Sequence, residues 1–594
     1  MCGIIGFSFR NEELVSKGIK SIEHRGPDAF NSYLDDNISL GHSLLSIRGE
    51  VKNSVQPFKK PNSDWLLAFN GQIYNLEYIK NLISSDLSNE SLDTKILYEL
   101  INIYGWNFVD HIEGMYCIFL MNIKTEEMRL YRDSSGQKPL YYSKVGQDIY
   151  FSSEVKGLIS LGIKKDVDFE SVSFFLHLGY LPGSNTIFKN IKRLLPGEYL
   201  IFNKNKKIFK QKEINESCRT NFFLENISDD LNRLVDLHLQ SKTRVCMNLS
   251  GGMDSSSLLW ASKNSDKNIS ALTTKFSNAP NEYNEEVKLA EKLCKSLDVE
   301  HDVIEITKKD FISNFIEAYQ TVEEPNGNVA IPLYFLTAKY HKANNNTVVI
   351  SGDGGDETWG GYNHHLESKK LDLNKFYFLK KMATQNFIKR RIFFNLADPI
   401  ERYLYLRSSS SNMCRNDLKA LTEYLKKHLA SLLCGDEIRN LSVTQQMFSF
   451  ERLSWLAEEN FMRSDKLYMS QSIEVRSPFA FESFRKEFNS KFELKKLWQN
   501  GLNKYPLRNS LNGKLIDEIN WRKEKVGWKA PLQEKWYDSE FKSLLLDIIP
   551  NKNTDIISWN KLRKSIEMTD KYPGKLINYF ASLAIISNHH SLDL

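Results

Sequence analysis

The chain has 594 residues, several times the usual size of a domain, so we expect two or more domains. Hydrophobic residues make up 41% and charged residues 26%, close to globular averages, which excludes wholesale disorder. The formal net charge is only +5, so charge gives no indication of a nucleic-acid partner. The seven cysteines are scattered without a Cys-x-x-Cys pair, which argues against a zinc knuckle or a disulfide framework.

Targeting signals are missing from the sequence pattern. No apolar run approaches the roughly 18–20 residues of a membrane-spanning helix. The first ten residues are apolar, but they lack the basic leader and the long apolar stretch of a signal peptide. We therefore expect a soluble cytoplasmic protein without a membrane span, in a compartment that keeps its thiols reduced.

The first 200 residues or so predict an α+β domain with antiparallel sheets. Helical patterns cover Leu14–Glu23 and Thr94–Tyr104, and Leu195–Phe202 predicts a final hairpin. Short apolar stretches between turn-forming residues predict strands at Ile4–Phe9, Trp65–Phe69, Met115–Met121, Met128–Tyr131, Leu140–Tyr142 and Ile149–Phe151.

A second domain follows a polar break at 203–207 and a predicted linker at Lys210–Thr220. Helices are predicted at Phe222–Gln240, Ser255–Lys263 and Asn284–Leu297, and strands at Arg244–Leu249, Ile269–Phe276 and Asn346–Ile350. Strands and helices in alternation indicate a parallel α/β sheet. From about residue 363 onward the pattern is mostly helical. We place the first domain at 2–205, the linker at 206–221 and the second domain at 222–594.

The first chemical cluster surrounds Cys2. Removal of Met1 would leave a cysteine whose α-amino group, titrating near 8, could serve as the base for its own thiol. Taken alone, a small buried cysteine is the commoner interpretation. Asn70 and Gly71 follow a predicted strand, and an amide side chain with a neighbouring N–H can form an oxyanion hole. Asp93 opens a predicted helix, so by itself it predicts an N-cap.

These residues resemble a class II glutamine amidotransferase domain of the N-terminal-nucleophile fold, an αββα sandwich. The resemblance implies that Cys2 attacks the side-chain amide of glutamine, that Asn70 and Gly71 stabilise the oxyanion, and that Asp93 holds the α-ammonium group. Three further segments resemble the asparagine-synthetase branch, namely Arg132–Tyr142, Phe151–Glu154 and Leu178–Phe188.

Two residues depart from the family pattern in the expected glutamine site. Leu44 stands where the family usually has the arginine that clamps the glutamine carboxylate, and Arg48, four residues later, is a candidate substitute. Gln72 stands where the family usually has glutamate. Losing the arginine at position 44 removes a bidentate partner for the glutamine carboxylate, which predicts weaker glutamine binding.

The second chemical cluster consists of two glycine-rich loops, each after an apolar strand. The first, Leu249–Ser256, opens a predicted helix, where free backbone N–H groups attract phosphate, and its Asp254 suits a Mg²⁺ ligand. It is not a Walker A sequence. The second loop, Val348–Tyr362, places three acids among glycines. An ordinary capped turn is the alternative for the first loop, and an acidic surface turn for the second.

Together the loops resemble the ATP pyrophosphatase domain of asparagine synthetases and β-lactam synthetases. The resemblance continues through Asn460–Leu467, Ser472–Phe479 and Arg522–Pro531. It implies ATP as a substrate, Mg²⁺, no organic prosthetic group, and an acyl-adenylate intermediate. The implied ATP-binding residues are Leu249, Ser250, Gly251, Gly252, Asp254, Ser255, Ser256, Thr274, Ser351 and Gly352.

The resemblance also assigns roles in catalysis. Asp254 and Asp356 would bind Mg²⁺ and pyrophosphate, and Lys525 would neutralise charge on the phosphates. Asp353 stands where the family usually has glutamate, in the position implicated in forming the intermediate. It is one methylene shorter than that glutamate.

The implied reaction is glutamine-dependent asparagine synthesis from aspartate and ATP. The segment Glu323–Pro332, where relatives recognise the acceptor, has no arginine or lysine to bind an α-carboxylate, although Arg476 lies in another motif. Two alternatives stay open: an amidotransferase acting on another carboxylate, such as a sugar uronic acid, and a non-catalytic relative with a decayed glutaminase.

We expect no nucleic-acid partner, and a homodimer is possible. The basic aromatic segment Lys369–Phe394 predicts an amphipathic helix face or, less commonly, a membrane-surface or partner site.

Overall fold

The computed structural model describes most of the chain. The described residues are 2–83, 92–205, 208–213, 220, 222, 224–263, 265, 267, 269–366, 400, 404, 419–425, 443–491, 493–523, 530–554, 557–569, 572 and 574–592. Lys525 and the segment 369–394 lie outside them. Within the described residues, no helix combines the length and the apolarity needed to cross a membrane.

The N-terminal part forms two antiparallel sheets. The six-stranded sheet has the order β2-β3-β1-β8-β7-β9, and the five-stranded sheet has the order β11-β10-β6-β5-β4. The strands are β1 (Cys2–Phe7), β2 (Ala29–Asp35), β3 (Ile38–Leu44), β4 (Trp65–Ile73), β5 (Gly114–Asn122), β6 (Glu127–Arg132), β7 (Tyr141–Val145), β8 (Asp148–Ser152), β9 (Lys192–Arg193), β10 (Glu198–Asn203) and β11 (Ile208–Glu213). The helices are α1 (Glu12–Ser21), α2 (Val51–Ser54), α3 (Leu76–Ile83), α4 (Asp93–Tyr104), α5 (Val155–Ser160) and α6 (Phe169–Leu178).

Alternating apolar side chains build this part as four layers. On β1, Ile4 packs into the core between the two sheets, while its neighbour Ile5 packs against the helix layer containing α1. On β4, Leu66 packs between the sheets and Leu67 packs under α4. Because successive side chains of a strand point to opposite faces, both sheets are covered on both sides. The αββα sandwich expected from the resemblance is therefore confirmed.

The second part contains a five-stranded parallel sheet of order β14-β13-β12-β15-β16. Its strands are β12 (Val245–Asn248), β13 (Ile269–Phe276), β14 (Glu300–Ile306), β15 (Val348–Ile350) and β16 (Glu474–Arg476). The chain enters at the central strand β12, adds β13 and β14 on one side, and then crosses to β15 on the other side. In such sheets ligands bind outside the carboxyl ends of the strands at the point where the order reverses, here between β12 and β15.

Helices surround the parallel sheet and extend to the end of the chain. The first group comprises α7 (Ile227–His238), α8 (Met253–Ser262), α9 (Asn281–Leu297), α10 (Lys308–Ser313), α11 (Phe315–Val322), α12 (Ile331–Ala343) and α13 (Gly355–Trp359). The described helices after residue 400 include α14 (Val443–Glu451), α15 (Met462–Met469), α16 (Glu482–Lys491), α17 (Leu494–Leu497), α18 (Tyr505–Ser510), α19 (Asp517–Asn520), α20 (Ser539–Ile548), α21 (Trp559–Met568) and α22 (Lys575–His590). A π-helical segment, Arg452–Phe461, joins α14 to α15.

The structure differs from the predicted elements in several places, of which three concern the linker and the parallel sheet. Ile208–Glu213 lies in the predicted linker, but it forms β11, because its backbone pairs along the whole of β10. The edge strand β14 was not predicted, since its sequence alternates exposed polar residues instead of forming an apolar run. The strand β16 was also not predicted, because it contains two charged residues whose burial depends on an ion pair between Glu474 and Arg476.

Buried ion pairs connect the two parts of the chain. The side chain of Arg25 is fully buried, and its Nη1 lies 2.8 Å from a carboxylate oxygen of Glu154 and 2.8 Å from one of Asp465 on α15. Its Nε donates to the carbonyl oxygen of Cys2 at 3.1 Å. Arg193 lies 3.0 Å from Glu324 of the second part, with both side chains 1% exposed. The guanidinium of Arg25 therefore bonds both to the first strand and to the second domain.

Replacing Arg25 with methionine is expected to lower the free energy of unfolding by about 3–5 kcal/mol, since it removes the buried cation shared by Glu154 and Asp465. Glu154 would keep its contact with Lys156 at 2.7 Å, and Asp465 would keep a longer contact of 3.5 Å with Lys138. Urea unfolding followed by tryptophan fluorescence would measure the change. Lys52→Ala is the control, because Lys52 and its partner Glu50 are 77% and 63% exposed and such a pair contributes at most about 1 kcal/mol. Equal stability of the Arg25→Met and Lys52→Ala proteins would contradict this account of the interface.

Candidate active sites

Cys2 lies at the start of β1, beside Leu44 of β3 in the antiparallel register. Its backbone nitrogen donates to Oδ1 of Asn70 at 2.9 Å. Asn70 is fully buried, and its Nδ2 has no hydrogen-bond partner among the described residues. Burial raises the pKa of the Cys2 thiol. The thiol therefore needs a nearby base, and the free amide donor of Asn70 suits an oxyanion next to it.

Gly71 follows Asn70 in a place where only glycine fits. A Cβ at this position would lie 2.0 Å from the carbonyl oxygen of Met115 on β5. The next residue, Gln72, donates from Nε2 to Oδ2 of Asp93 at 3.0 Å and accepts at Oε1 from Arg476 at 3.2 Å. Gln72 thus connects the pocket beside Cys2 to a strand of the second domain.

Asp93 is the first residue of α4, but it does not cap that helix. The N-cap residue is Leu92, which has no capping side chain. Oδ2 of Asp93 accepts from the backbone nitrogen of Ile73 at 3.2 Å, and Oδ1 lies 2.9 Å from Nη1 of Arg48. The interpretation of Asp93 as a simple N-cap is therefore wrong. Asp93 belongs to a pocket of about 60 Å³ whose lining also includes Cys2, Leu44, Arg48, Gly71, Gln72 and Glu474.

A larger cavity of about 360 Å³ lies at the reversal point of the parallel sheet. It is bounded by the loop after β12 and the loop after β15, which are neighbouring strands. The sequence-predicted residues that line it are Leu249, Ser250, Asp254, Ser255, Thr274, Ser351, Gly352, Asp353 and Asp356. The two loops predicted from separate motifs therefore form a single site.

Glycines allow the two loops to touch. A Cβ on Gly355 would lie 2.5 Å from Oδ1 of Asp254, and a Cβ on Gly352 would lie 3.0 Å from the backbone nitrogen of Ser255. Gly251 has a φ of +73°, a conformation that other residues rarely adopt. The close approach brings the carboxylates of Asp254 and Asp356 to the same side of the cavity.

Lys504 is a candidate functional residue that sequence analysis missed. Its Nζ contacts carboxylate oxygens of both Asp254 and Asp356, and its side chain is only 3% exposed. Lys504 lies in the turn before α18, about 250 residues after Asp254 of the first loop, so no sequence motif connects the two residues. The ammonium group of Lys504 lies between the carboxylates of Asp254 and Asp356. The same pair of carboxylates therefore suits a hard divalent ion such as Mg²⁺, which prefers oxygen ligands.

Asp353 is held in a defined orientation despite its short side chain. Its Oδ2 accepts from the Ser351 hydroxyl at 2.7 Å, and its Oδ1 accepts from Nδ2 of Asn460 at 3.1 Å. Asn460 also lines the cavity. Hydrogen bonds to both oxygens hold the carboxylate in one orientation at the cavity wall.

Some predicted residues lie elsewhere. Ser256 is fully buried inside α8, because consecutive helical residues point about 100° apart and Ser255 faces the cavity instead. Gly251 and Gly252 line an adjoining pocket that also contains Lys504, Arg508 and Lys523. Lys525 falls outside the described residues.

Arg476 does not serve the large cavity. Its Nε donates to Glu474 at 2.6 Å, and its Nη1 donates to the carbonyl oxygens of His238 and Gln240. These bonds, together with the one to Gln72, place it behind the small pocket. Arg476 is therefore wrong as a candidate for binding the acceptor carboxylate, and no arginine or lysine occurs among the described residues that line the large cavity.

A third polar cluster lies just after the second loop. His364 and His365 each place Nε2 near the carboxylate of Glu451, at 3.1 and 2.6 Å. The three ligand atoms lie within 4.8 Å of one another. They could hold a metal ion or share a proton, and in both cases they join the second loop to α14.

Comparison with known proteins identifies the family of each part of the chain. Residues 1–212 match the model of the glutamine amidotransferase domain, and residues 226–575 match the model of asparagine synthase. The chain is 25% identical over 586 residues to glutamine-hydrolyzing asparagine synthetase 1 of Bacillus subtilis (strain 168), with 93% of this chain and 91% of that protein covered. It is 24% identical over 565 residues to asparagine synthetase 3 of the same organism, covering 88% and 86%. This protein therefore belongs to the asparagine synthase family and carries an N-terminal glutamine amidotransferase domain.

Replacing Lys504 with methionine is expected to lower the Kd for Mg²⁺ about tenfold, because the lysine ammonium competes with the metal ion for the same two carboxylates. A Mg²⁺ titration followed by thermal unfolding would measure it without any substrate. Lys275→Met, which removes an exposed ion pair to Glu305, is the matched control. If both variants respond to Mg²⁺ as the unmodified protein does, Asp254 and Asp356 are not its ligands.

Proposed function

We propose that this protein makes asparagine from aspartate, with glutamine as the nitrogen donor and ATP cleaved to AMP and pyrophosphate. The proposal is carried by one observation. The same chain combines an N-terminal cysteine anchored by Asn70 with a reversal-point cavity that has two acidic glycine loops. Relatives that cover about nine-tenths of the chain are named glutamine-hydrolyzing asparagine synthetases.

The first half-reaction takes place in the N-terminal domain, which we place at 2–205 with β11 as its last strand. The Cys2 thiolate attacks the side-chain carbonyl carbon of glutamine, and the α-amino group exposed by removal of Met1 takes the thiol proton. The oxyanion is stabilised by Nδ2 of Asn70, which is buried and free to donate, and by the backbone of Gly71. Collapse of the intermediate releases ammonia, and water then hydrolyses the thioester to glutamate.

The second half-reaction takes place in the domain at 222–594. A β-carboxylate oxygen of aspartate attacks the α-phosphorus of ATP, and the bond to pyrophosphate breaks. Asp254 and Asp356 would hold Mg²⁺, which neutralises phosphate charge when bound. Ammonia then attacks the acyl carbon, and AMP leaves. Serine hydroxyls and backbone N–H groups at the start of α8 bind the phosphates, and Lys504 and Lys525 supply positive charge.

Aspartate as the acceptor is the part of the proposal that depends most on the relatives. The described cavity lining offers no cation for an α-carboxylate, and Glu323 and Glu324 of the acceptor segment are bound to the first domain and to Lys466. The names of the relatives favour aspartate over a sugar uronic acid. Cys2, Asn70, the loop Ser250–Ser256 and Lys525 are all retained, which argues against a decayed, non-catalytic relative.

Pyrophosphate release from ATP is expected to depend on aspartate when ammonium is supplied directly, with asparagine as the product. A coupled pyrophosphate assay and amino-acid analysis would measure it in the presence of Mg²⁺. Asp254→Ala should reduce release at least a hundredfold, because it removes a ligand of the metal. Release that does not respond to aspartate would refute aspartate as the acceptor, and nucleotide-linked uronic acids would be the next substrates to test.

Cys2→Ala is expected to abolish glutamine hydrolysis while leaving ammonium-dependent asparagine synthesis within about twofold of the original rate. The reason is that Cys2 and the nucleotide cavity belong to separate domains with separate pockets. Cys117→Ala is the matched control for loss of a buried thiol, since Cys117 packs between the two sheets. Loss of both activities in Cys2→Ala alone would contradict the separation of the two sites.

A further inference from the structure

The small pocket beside Cys2 contains one cation among its described lining residues. Its charged members are Arg48, Asp93 and Glu474. Burial would raise the pKa of Glu474, but Arg476 lowers it to about 2, and Nε of Arg476 donates to this carboxylate at 2.6 Å. Glutamine carries an α-ammonium and an α-carboxylate group, so a pocket that binds both needs one free charge of each sign. Leu44 supplies neither.

Arg48 and Asp93 are paired with each other, but they are held unequally. Asp93 also accepts from Nε2 of Gln72 and from the backbone nitrogen of Ile73, and its side chain is 10% exposed. Apart from Asp93, the contact of Arg48 among the described residues is a long one of 3.4 Å from Nε to the carbonyl oxygen of Gln240, and its side chain is 19% exposed. Asp93 is therefore the fixed member of the pair, and Arg48 is the member that can move.

We propose that glutamine separates this ion pair, so that its α-ammonium binds Asp93 and its α-carboxylate binds Arg48. The exchange keeps every charge paired at the end, since one ion pair and one zwitterion become two ion pairs. A guanidinium can bind a carboxylate through two parallel hydrogen bonds, which makes it a specific partner. Arg48 thereby becomes the specificity-determining residue that replaces the arginine missing at position 44. This inference rests on the proposed use of glutamine.

The size of the pocket agrees with such an exchange. Its volume is about 60 Å³ with the ion pair closed, against about 360 Å³ for the nucleotide cavity. Movement of the long Arg48 side chain away from Asp93 enlarges the space next to Cys2. The bonds from Gln72 and Ile73 keep Asp93 in place while this happens.

Two glutamine analogues separate the contributions of the α groups. The compound 4-aminobutanamide keeps the side-chain amide and an amine but lacks the α-carboxylate, and glutaramate lacks the α-ammonium. Ammonia release from each compound would be measured without ATP, so that the synthetase reaction plays no part. The original protein is expected to prefer glutamine over both analogues in kcat/KM.

Arg48→Leu should lower kcat/KM for glutamine about 10- to 100-fold, the size expected for lost hydrogen bonds to a charged group. It should change kcat/KM for 4-aminobutanamide less than threefold, because that compound has no carboxylate to lose. The double variant Leu44→Arg/Arg48→Leu should recover most of the glutamine activity. Arg244→Leu is the matched control, since Arg244 forms a single exposed ion pair with Glu300 in the second domain.

An equal loss for glutamine and 4-aminobutanamide would overturn the proposal, because it would assign Arg48 a structural role. An unchanged kcat/KM for glutamine would overturn it as well. Calorimetry of glutamine binding to Cys2→Ala, with and without Arg48→Leu, tests the same contact without turnover. No binding by Cys2→Ala would refute the pocket, while ammonium-dependent pyrophosphate release would still report on the proposed synthetase reaction.

Discussion

The buried guanidinium of Arg25 is the interaction on which the arrangement of both domains depends. It donates to the carbonyl oxygen of Cys2, and it forms ion pairs with Glu154 of the first domain and Asp465 of the second. A buried charge is tolerated only when it is fully paired, so neither carboxylate can move without cost. Arg25 thus connects the position of the candidate nucleophile to the docking of the synthetase domain.

Both candidate sites are kept in order by internal ion pairs where charged substrates are expected. Lys504 lies between Asp254 and Asp356, and Arg48 lies against Asp93. In each case a cationic side chain of the protein pairs with carboxylates that would otherwise repel each other or be buried without a partner. Ligand binding at such a site exchanges partners, so part of the binding energy replaces interactions that the free protein already has.

The sequence predicted several strands and both loops because their signals are local, whereas the layered αββα arrangement was implied by the family resemblance. Short apolar stretches between turn residues predicted β1 and β4, and glycines beside acids predicted the loops after β12 and β15. Strands β14 and β16 could not be found in this way, since one is an exposed edge and the other is buried through an ion pair made in the folded state.

Residues that lie far along the chain from the site they complete could not be predicted from the sequence either. Lys504 has no motif that connects it to Asp254. Arg476 was a candidate for the acceptor carboxylate, with a structural role as the alternative, and in the structure it binds Gln72. The pairing of Arg48 with Asp93 depends on the course of the chain after β3, which no periodicity describes. Local patterns therefore located the two sites, while the charged residues that complete them required the folded chain.

Both domains contribute residues to the glutamine pocket. Glu474 lines it from β16, and Arg476 of the same strand binds Gln72 and accepts at its carbonyl oxygen from the backbone nitrogen of Ser351, at the start of the second nucleotide loop. The two halves are consequently not interchangeable modules. A chimaera that joins this synthetase half to a glutaminase half from a relative would have to match Gln72, or it would bring an unselected side chain against Arg476 and disturb both pockets at once.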